Sequence, residues 1–152
     1  MNYKNILIAV DGSECSKNAA KNGIEIAKQL SASVIVLCII DMTNAVSSTA
    51  VNGIIDAEMI KVYQEEAELT VSEIVKENPF DKISTLTVEG IPQYEIRNVA
   101  RSKKADMIIM GTHGRTGLQH LLMGSVAEFV IRHSTIPVLV VPEVKEEENS
   151  KN

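Results

Sequence analysis

Two apolar runs without alternation, Asn5–Val10 (NILIAV) and Ser33–Ile40 (SVIVLCII), constrain the fold more than any other feature of the chain. A strand with one wet face alternates apolar and polar residues. A run that is apolar at every position needs cover on both faces, as strands of a parallel sheet have. Each run stops at an aspartate, Asp11 and Asp41. Ile83–Glu89 (ISTLTVE), Met107–Met110 and a segment inside Pro137–Pro142 complete five predicted strands. The third is more polar than the first two, which puts it nearer an edge.

Helical spacing fills the gaps between these runs. Ala20, Ile24, Ala27 and Leu30 recur at that spacing behind helix-start oxygens on Ser13 and Ser16. In Ala57–Glu77, Ile60, Tyr63, Ala67, Val71 and Ile74 trace one face, Glu65, Glu66 and Glu68 read as the solvated one, and Asn78-Pro79 ends the helix. Pro92 opens a helix carrying Ile96, Val99 and Ala100, and a last one runs from Val126 to about His133. The order β-α-β-α-β-α-β-α-β with right-handed crossovers makes a parallel sheet with helices on both faces. Ligands of such sheets bind beyond the carboxyl ends of the strands, where strand order reverses. Asp11, Asp41 and Gly111 all fall there. Residues 42–56 (MTNAVSSTAVNGIID) lack a period and read as a mobile connection.

Gly111–Ser125 (GTHGRTGLQHLLMGS) follows the fourth strand and leads into the last helix. Glycine permits positive φ and close backbone approach, so several N–H groups can converge on one anion. The start of the next helix adds unpaired N–H donors and the positive end of its dipole. Ser125 suits the N-cap, or its hydroxyl donates to a phosphate. The loop is neither a Walker A nor a GxGxxG sequence, and Arg115 is its only cation. Turning the chain is the competing role for these glycines.

The spacing Gly111-x2-Gly114-x9-Gly124-Ser125 resembles the ATP-binding signature of the universal stress protein family, and AVDGS, CIID and PVLVVP extend the resemblance over nearly the whole chain. The resemblance implies a single Rossmann-like domain, residues 1–143, with strand order 3-2-1-4-5. It implies ATP, with or without Mg²⁺, as the ligand. The backbone of Ala9 and Val10 would border the base and the backbone of Ile39 would contact adenine, although by sequence alone Ile39 is a core residue. Met110 would pack near the ribose. Asp11 would face the ribose or a phosphate-bound Mg²⁺, against its other reading as an ordinary Asp-Gly turn. Gly111, Gly114, Gly124, Ser125 and the N–H of Val126 would surround the phosphates. Arg115 is either a phosphate ligand or a solvated loop charge.

With 152 residues, 45% hydrophobic and 23% charged, the chain suits one soluble domain. The net charge of −5, the lack of a Lys/Arg cluster of useful length and 3% aromatic residues argue against a nucleic-acid surface. No apolar run approaches a membrane span, and MNYKNILIAV lacks a signal-peptide pattern, so a cytoplasmic location is expected. Cys15 and Cys38 are expected to be free structural thiols. His113, His120 and His133 match no HExxH or zinc spacing. His113 reads as a turn residue in reach of a phosphate, His120 as solvent-facing, and His133 as a helix C-terminal charge. The tail EVKEEENSKN, with residues 144–152 beyond the domain, is expected to be disordered.

The fifth strand is expected to be a sheet edge in which Val138, Leu139, Val140 and Val141 are all apolar; a homodimer through it would cover both faces and satisfy its unpaired backbone. The expected function is a homodimeric, ATP-binding regulatory switch of the stress response that reports to an unidentified protein partner. A slow ATP hydrolase or related adenine-nucleotide enzyme is the alternative, without an SGGxDS-type loop or firm Mg²⁺ ligands in its favour. A nucleotide-free dimeric scaffold is the further alternative, and the intact glycine signature counts against it.

Overall fold

The structure, a computed structural model, describes residues 2–43, 57–115 and 122–143. Most of the predicted mobile connection, His120 and the tail from 144 to 152 lie outside these residues. The described elements run β1 (Asn5–Val10), α1 (Glu14–Leu30), β2 (Ser33–Asp41), α2 (Ala57–Glu77), β3 (Ile83–Gly90), α3 (Pro92–Ser102), β4 (Met107–Gly111), α4 (Ser125–His133) and β5 (Val138–Val141). All strand pairs are parallel, and the sheet order is β3-β2-β1-β4-β5. Each of β2, β3 and β4 runs one residue past its predicted end, because pairing of Asp41 with Gly90 and of Gly111 with Val141 continues the ladders. Backbone pairing carries on where side-chain polarity changes.

The unalternating runs divide between two cores. Ile6, Ile8 and Val10 of β1 pack with Val34, Val36, Cys38 and Ile40 of β2 under Ile24 of α1 and Val71 and Ile74 of α2. Leu7 and Ala9 of β1 and Leu37 of β2 face the other way, under Ile96 and Val99 of α3 and Ala127 and Val130 of α4. One period-two strand thus feeds both layers, which is why no position from Ile6 to Val10 is polar. Burying side chains such as Leu7, Ile8 and Leu37, all 0% exposed, stabilises each by about 1.5–3 kcal/mol relative to solvent. Strand order reverses between β1 and β4, the two neighbours whose following elements are α1 and α4. A crevice opens there, beyond their carboxyl ends.

Candidate functional site

The β1–α1 turn forms one wall. Gly12 has φ +84, a conformation L side chains rarely adopt, and turns the chain directly after Asp11. The Asp11 carboxylate accepts from the Ser13 N–H at 3.0 Å and the Ser13 hydroxyl at 2.5 Å through Oδ1. Ser13 in turn caps α1, its Oγ accepting from the Ser16 N–H at 3.2 Å. The other oxygen of Asp11, Oδ2, accepts from the backbone N–H of Arg115 at 3.0 Å, across 104 residues of sequence. Asp11 therefore does more than close a turn: it ties the glycine loop to β1.

That loop is pinched at its neck, where the Gly124 N–H donates to the Thr112 carbonyl at 2.7 Å. Its three signature glycines are needed for space, not for positive φ. Positive φ at glycine occurs among the described residues only at Gly12 and Gly90. A Cβ on Gly111 would lie 2.7 Å from Cys15 Sγ, one on Gly114 2.5 Å from Asp11 Oδ2, and one on Gly124 3.2 Å from the Thr112 carbonyl oxygen. The N-cap of α4 is Gly124, with φ −73 and ψ 158, and not Ser125 as expected. The neck hydrogen bond holds Gly124 extended, so Ser125 becomes the first helical residue. Gly124 has no side chain with which to cap this helix. The N–H groups of its first turn are without helical partners by geometry, and Ser125, Val126 and Ala127 line the crevice.

The third wall was not legible as such. Glu66, read as part of a solvated face, pairs through Oε1 with Arg115 Nη2 at 2.5 Å. Thr70, 7% exposed, donates to the Glu66 carbonyl at 2.9 Å and sits beside Gly12. The missed signal was spacing: Tyr63, Glu66, Ala67 and Thr70 fall at intervals of three and four, bringing two polar residues onto the side of α2 that lines the cavity. Arg115 is thus neither a free loop charge nor an open phosphate ligand in this conformation. The Glu66 hydrogen bond holds the pKa of its guanidinium above the ordinary value.

These walls enclose a cavity of about 410 Å³, inside the roughly 300–1,000 Å³ range of small-molecule sites. Ala9, Val10, Asp11, Ile39, Met110, Gly111, Gly114, Arg115, Gly124, Ser125 and Val126 all line it. So do Asp41, Tyr63, Glu66, Thr70, Cys38 and His113. Burial, reinforced by Asp11, pushes the Cys38 thiol up to about 11, so it stays protonated and unreactive near neutral pH. Cys15 and Cys38 are both buried and free, as expected. His113 contacts the Thr112 hydroxyl through Nδ1 at 3.0 Å, whereas His133 lies at the far end of α4. Val138, Leu139, Val140 and Val141 form an edge strand and are half-buried, with Val138 packed toward the α3–α4 core and Leu139 and Val141 toward the α1–α2 core. No described helix is long and apolar enough to cross a membrane.

Geometry and sequence similarity point the same way. The sequence profile of the universal stress protein family matches residues 2–142. Universal stress protein MJ0531 of Methanocaldococcus jannaschii is 42% identical over 146 residues, 95% of this chain and 85% of that protein. The solved structure of MJ0577, from the same organism, superposes with a TM-score of 0.78 at 35% identity and covers 96% of this chain and 100% of that one. A universal stress protein crystallised in complex with cAMP superposes at a TM-score of 0.65 and 25% identity, covering 93% and 98%. The chain belongs to the universal stress protein family.

Proposed function

We propose that this protein binds ATP, together with Mg²⁺, in the cavity at the carboxyl end of the sheet. It would work as a cytoplasmic, homodimeric nucleotide switch of a stress response, reporting nucleotide state to a protein partner. One observation carries the reading: the glycine loop, the uncapped start of α4 and the ends of β1, β2 and β4 open onto one cavity. Ala9, Val10 and Ile39 would border the adenine and Met110 the ribose. Gly111, Gly114, Gly124, Ser125 and Val126 would present N–H donors to the phosphates, where the helix dipole favours negative charge. The relative solved with cAMP lends support, since cAMP shares its adenine and ribose with ATP.

The charge balance supports Mg²⁺. Asp11, Asp41 and Glu66 line the cavity against the single guanidinium of Arg115. A triphosphate would meet net repulsion there unless a cation accompanied it. Among the described residues no group of three or more His, Cys, Asp or Glu is placed to hold a metal alone. Mg²⁺ would therefore arrive on the nucleotide, with Asp11 as the nearest carboxylate ligand, and would neutralise phosphate charge. Fast turnover is not expected, because Asp11 is spent on Ser13 and Arg115, and Arg115 on Glu66.

Denaturing the purified protein and identifying the released nucleotide tests the ligand, followed by titration with ATP, AMP, cAMP and GTP with and without Mg²⁺. Mg²⁺-dependent binding that prefers ATP supports the reading. Equal affinity for GTP, or no adenine-nucleotide binding, overturns it. The half-buried edge strand β5 motivates the dimer. Val140→Lys is expected to convert a dimer to a folded monomer in light scattering while ATP binding persists; a monomeric wild type at tens of micromolar, on the order of ordinary assay concentrations, would rule out a stable dimer.

A further inference from the structure

A second cleft, of about 230 Å³, opens at the amino ends of β4 and β5, the edge of the sheet opposite the nucleotide cavity. Arg97, Arg101, Lys104 and His133 line it beside Ser134 and Thr135, and among the described residues no carboxylate does. The sign of this cleft is inverted relative to a chain whose net charge is −5.

Spacing explains how the cations meet. Arg97 and Arg101 are one turn apart on α3, and Lys104 follows three residues later, where a left-handed residue (φ 52) redirects the chain. The helix accounts for only part of this arrangement. Arg101 in the last turn complements the negative end of the dipole. A second like charge four residues earlier disfavours the helix. Elsewhere among the described residues arginines are paired: Arg115 holds Glu66 and Arg132 holds Glu128. Arg97, Arg101 and Lys104 hold no carboxylate among the described residues. Arg97 instead stands over the Phe129 ring, 5.7 Å from its centroid, and the same ring stacks on His133 at 4.1 Å. His133 Nδ1 is fixed on the Phe129 carbonyl at 2.8 Å. Ser134 spends its hydroxyl on Ile136, whereas no described residue bonds the hydroxyl of Thr135.

We propose that this cleft is a second anion site, separate from the nucleotide cavity, that takes a phosphate group. Two guanidinium forks, an ammonium and a free hydroxyl exceed what one carboxylate can accept, but they match the charge and acceptor oxygens of a phosphate dianion. The volume is below the usual range for a whole small-molecule site, so it suits one phosphate group and not a nucleotide. The group is either free phosphate or a phosphorylated side chain of a partner.

Titrations of the full chain followed by backbone amide NMR test the site, in ATP and Mg²⁺ so that the first cavity is filled. The probes are inorganic phosphate, a phosphoserine peptide with neutral flanks, and the same peptide unphosphorylated. Saturable shifts are expected at Arg97, Arg101, Lys104 and Thr135, with affinity falling about tenfold or more in Arg101→Gln/Lys104→Gln while ATP affinity stays unchanged. A phosphopeptide binding about tenfold tighter than phosphate assigns the site to a partner, and equal affinities assign it to the free ion. No saturable shift below about 20 mM of either, shifts that persist in the double variant, or equal binding of the unphosphorylated peptide would overturn the proposal. If ATP itself fails to bind, shifts at these residues still decide the cleft, so the two readings fail separately.

Discussion

Two glycine-bearing turns border the cavity proposed for the nucleotide, and they are built in opposite ways. In the β1–α1 turn, Gly12 supplies a positive φ, and Asp11, Ser13 and Ser16 satisfy one another and cap the helix behind them. Between β4 and α4, the described glycines Gly114 and Gly124 adopt no positive φ, Gly124 has no side chain to cap the helix, and the first residues of α4 line the cavity. The first turn is complete in itself. The second leaves the first N–H groups of α4 without an intrahelical partner, and a folded chain keeps such donors at modest cost only where another group, water or a ligand serves them. The same residue type thus does conformational work in one turn and makes room in the other.

The largest effect should come from filling that room. Gly114→Val and Gly124→Val place side-chain carbon against Asp11 Oδ2 and the Thr112 carbonyl. Losing two charge-assisted hydrogen bonds, at about 1.5–3 kcal/mol each, should weaken ATP binding by about 100-fold or more in calorimetric titration. The domain should still unfold cooperatively. Unchanged affinity in both variants would remove the loop from the phosphate site.

Asp11→Ala probes the completed turn and should show the reverse pattern. It deletes the acceptor for Ser13 and for the Arg115 N–H, costing about 2–3 kcal/mol in urea unfolding. Affinity should fall less than in the glycine variants, because the α4 donors remain. A loss of binding with no loss of stability would mean that Asp11 acts on the nucleotide alone and is not a tether.

Glu66→Gln should have the smallest effect and the opposite sign. The pair with Arg115 is about half exposed, 45% and 51%, so stability should change by less than about 1 kcal/mol. Removing a carboxylate beside the phosphates and freeing the guanidinium should raise ATP affinity about two- to fivefold. Glu68→Gln is the control. Weaker ATP binding in Glu66→Gln would show that Glu66 assists the ligand and does not compete with it.

The strands were legible because their apolar runs serve both cores, so every position carries signal, from Ile6 to Val10 and again from Val34 to Ile40. The eleven residues expected at the site lie at strand ends and in the glycine loop, and the sheet topology gathers them along one cavity. What escaped depends on distance in sequence. Nothing near Glu66 signals a partner 49 residues away at Arg115, and an amphipathic helix rich in glutamate reads as solvated. Ser125 was misassigned as a cap for a related reason, since the neck bond from Gly124 to Thr112 that shifts the helix start spans the loop. Expectations for His120 and the tail fall outside the described residues.

The claim that the second turn is unfinished for the sake of phosphate is tested most directly by comparing amide shifts induced by ATP and by adenosine. Both ligands should move Ala9, Val10 and Ile39, which in the proposed function would border the base. ATP with Mg²⁺ alone should move Gly114 and the run from Gly124 to Ala127. Equal shifts from both ligands across that run, or ATP shifts that leave it unmoved, would contradict the account.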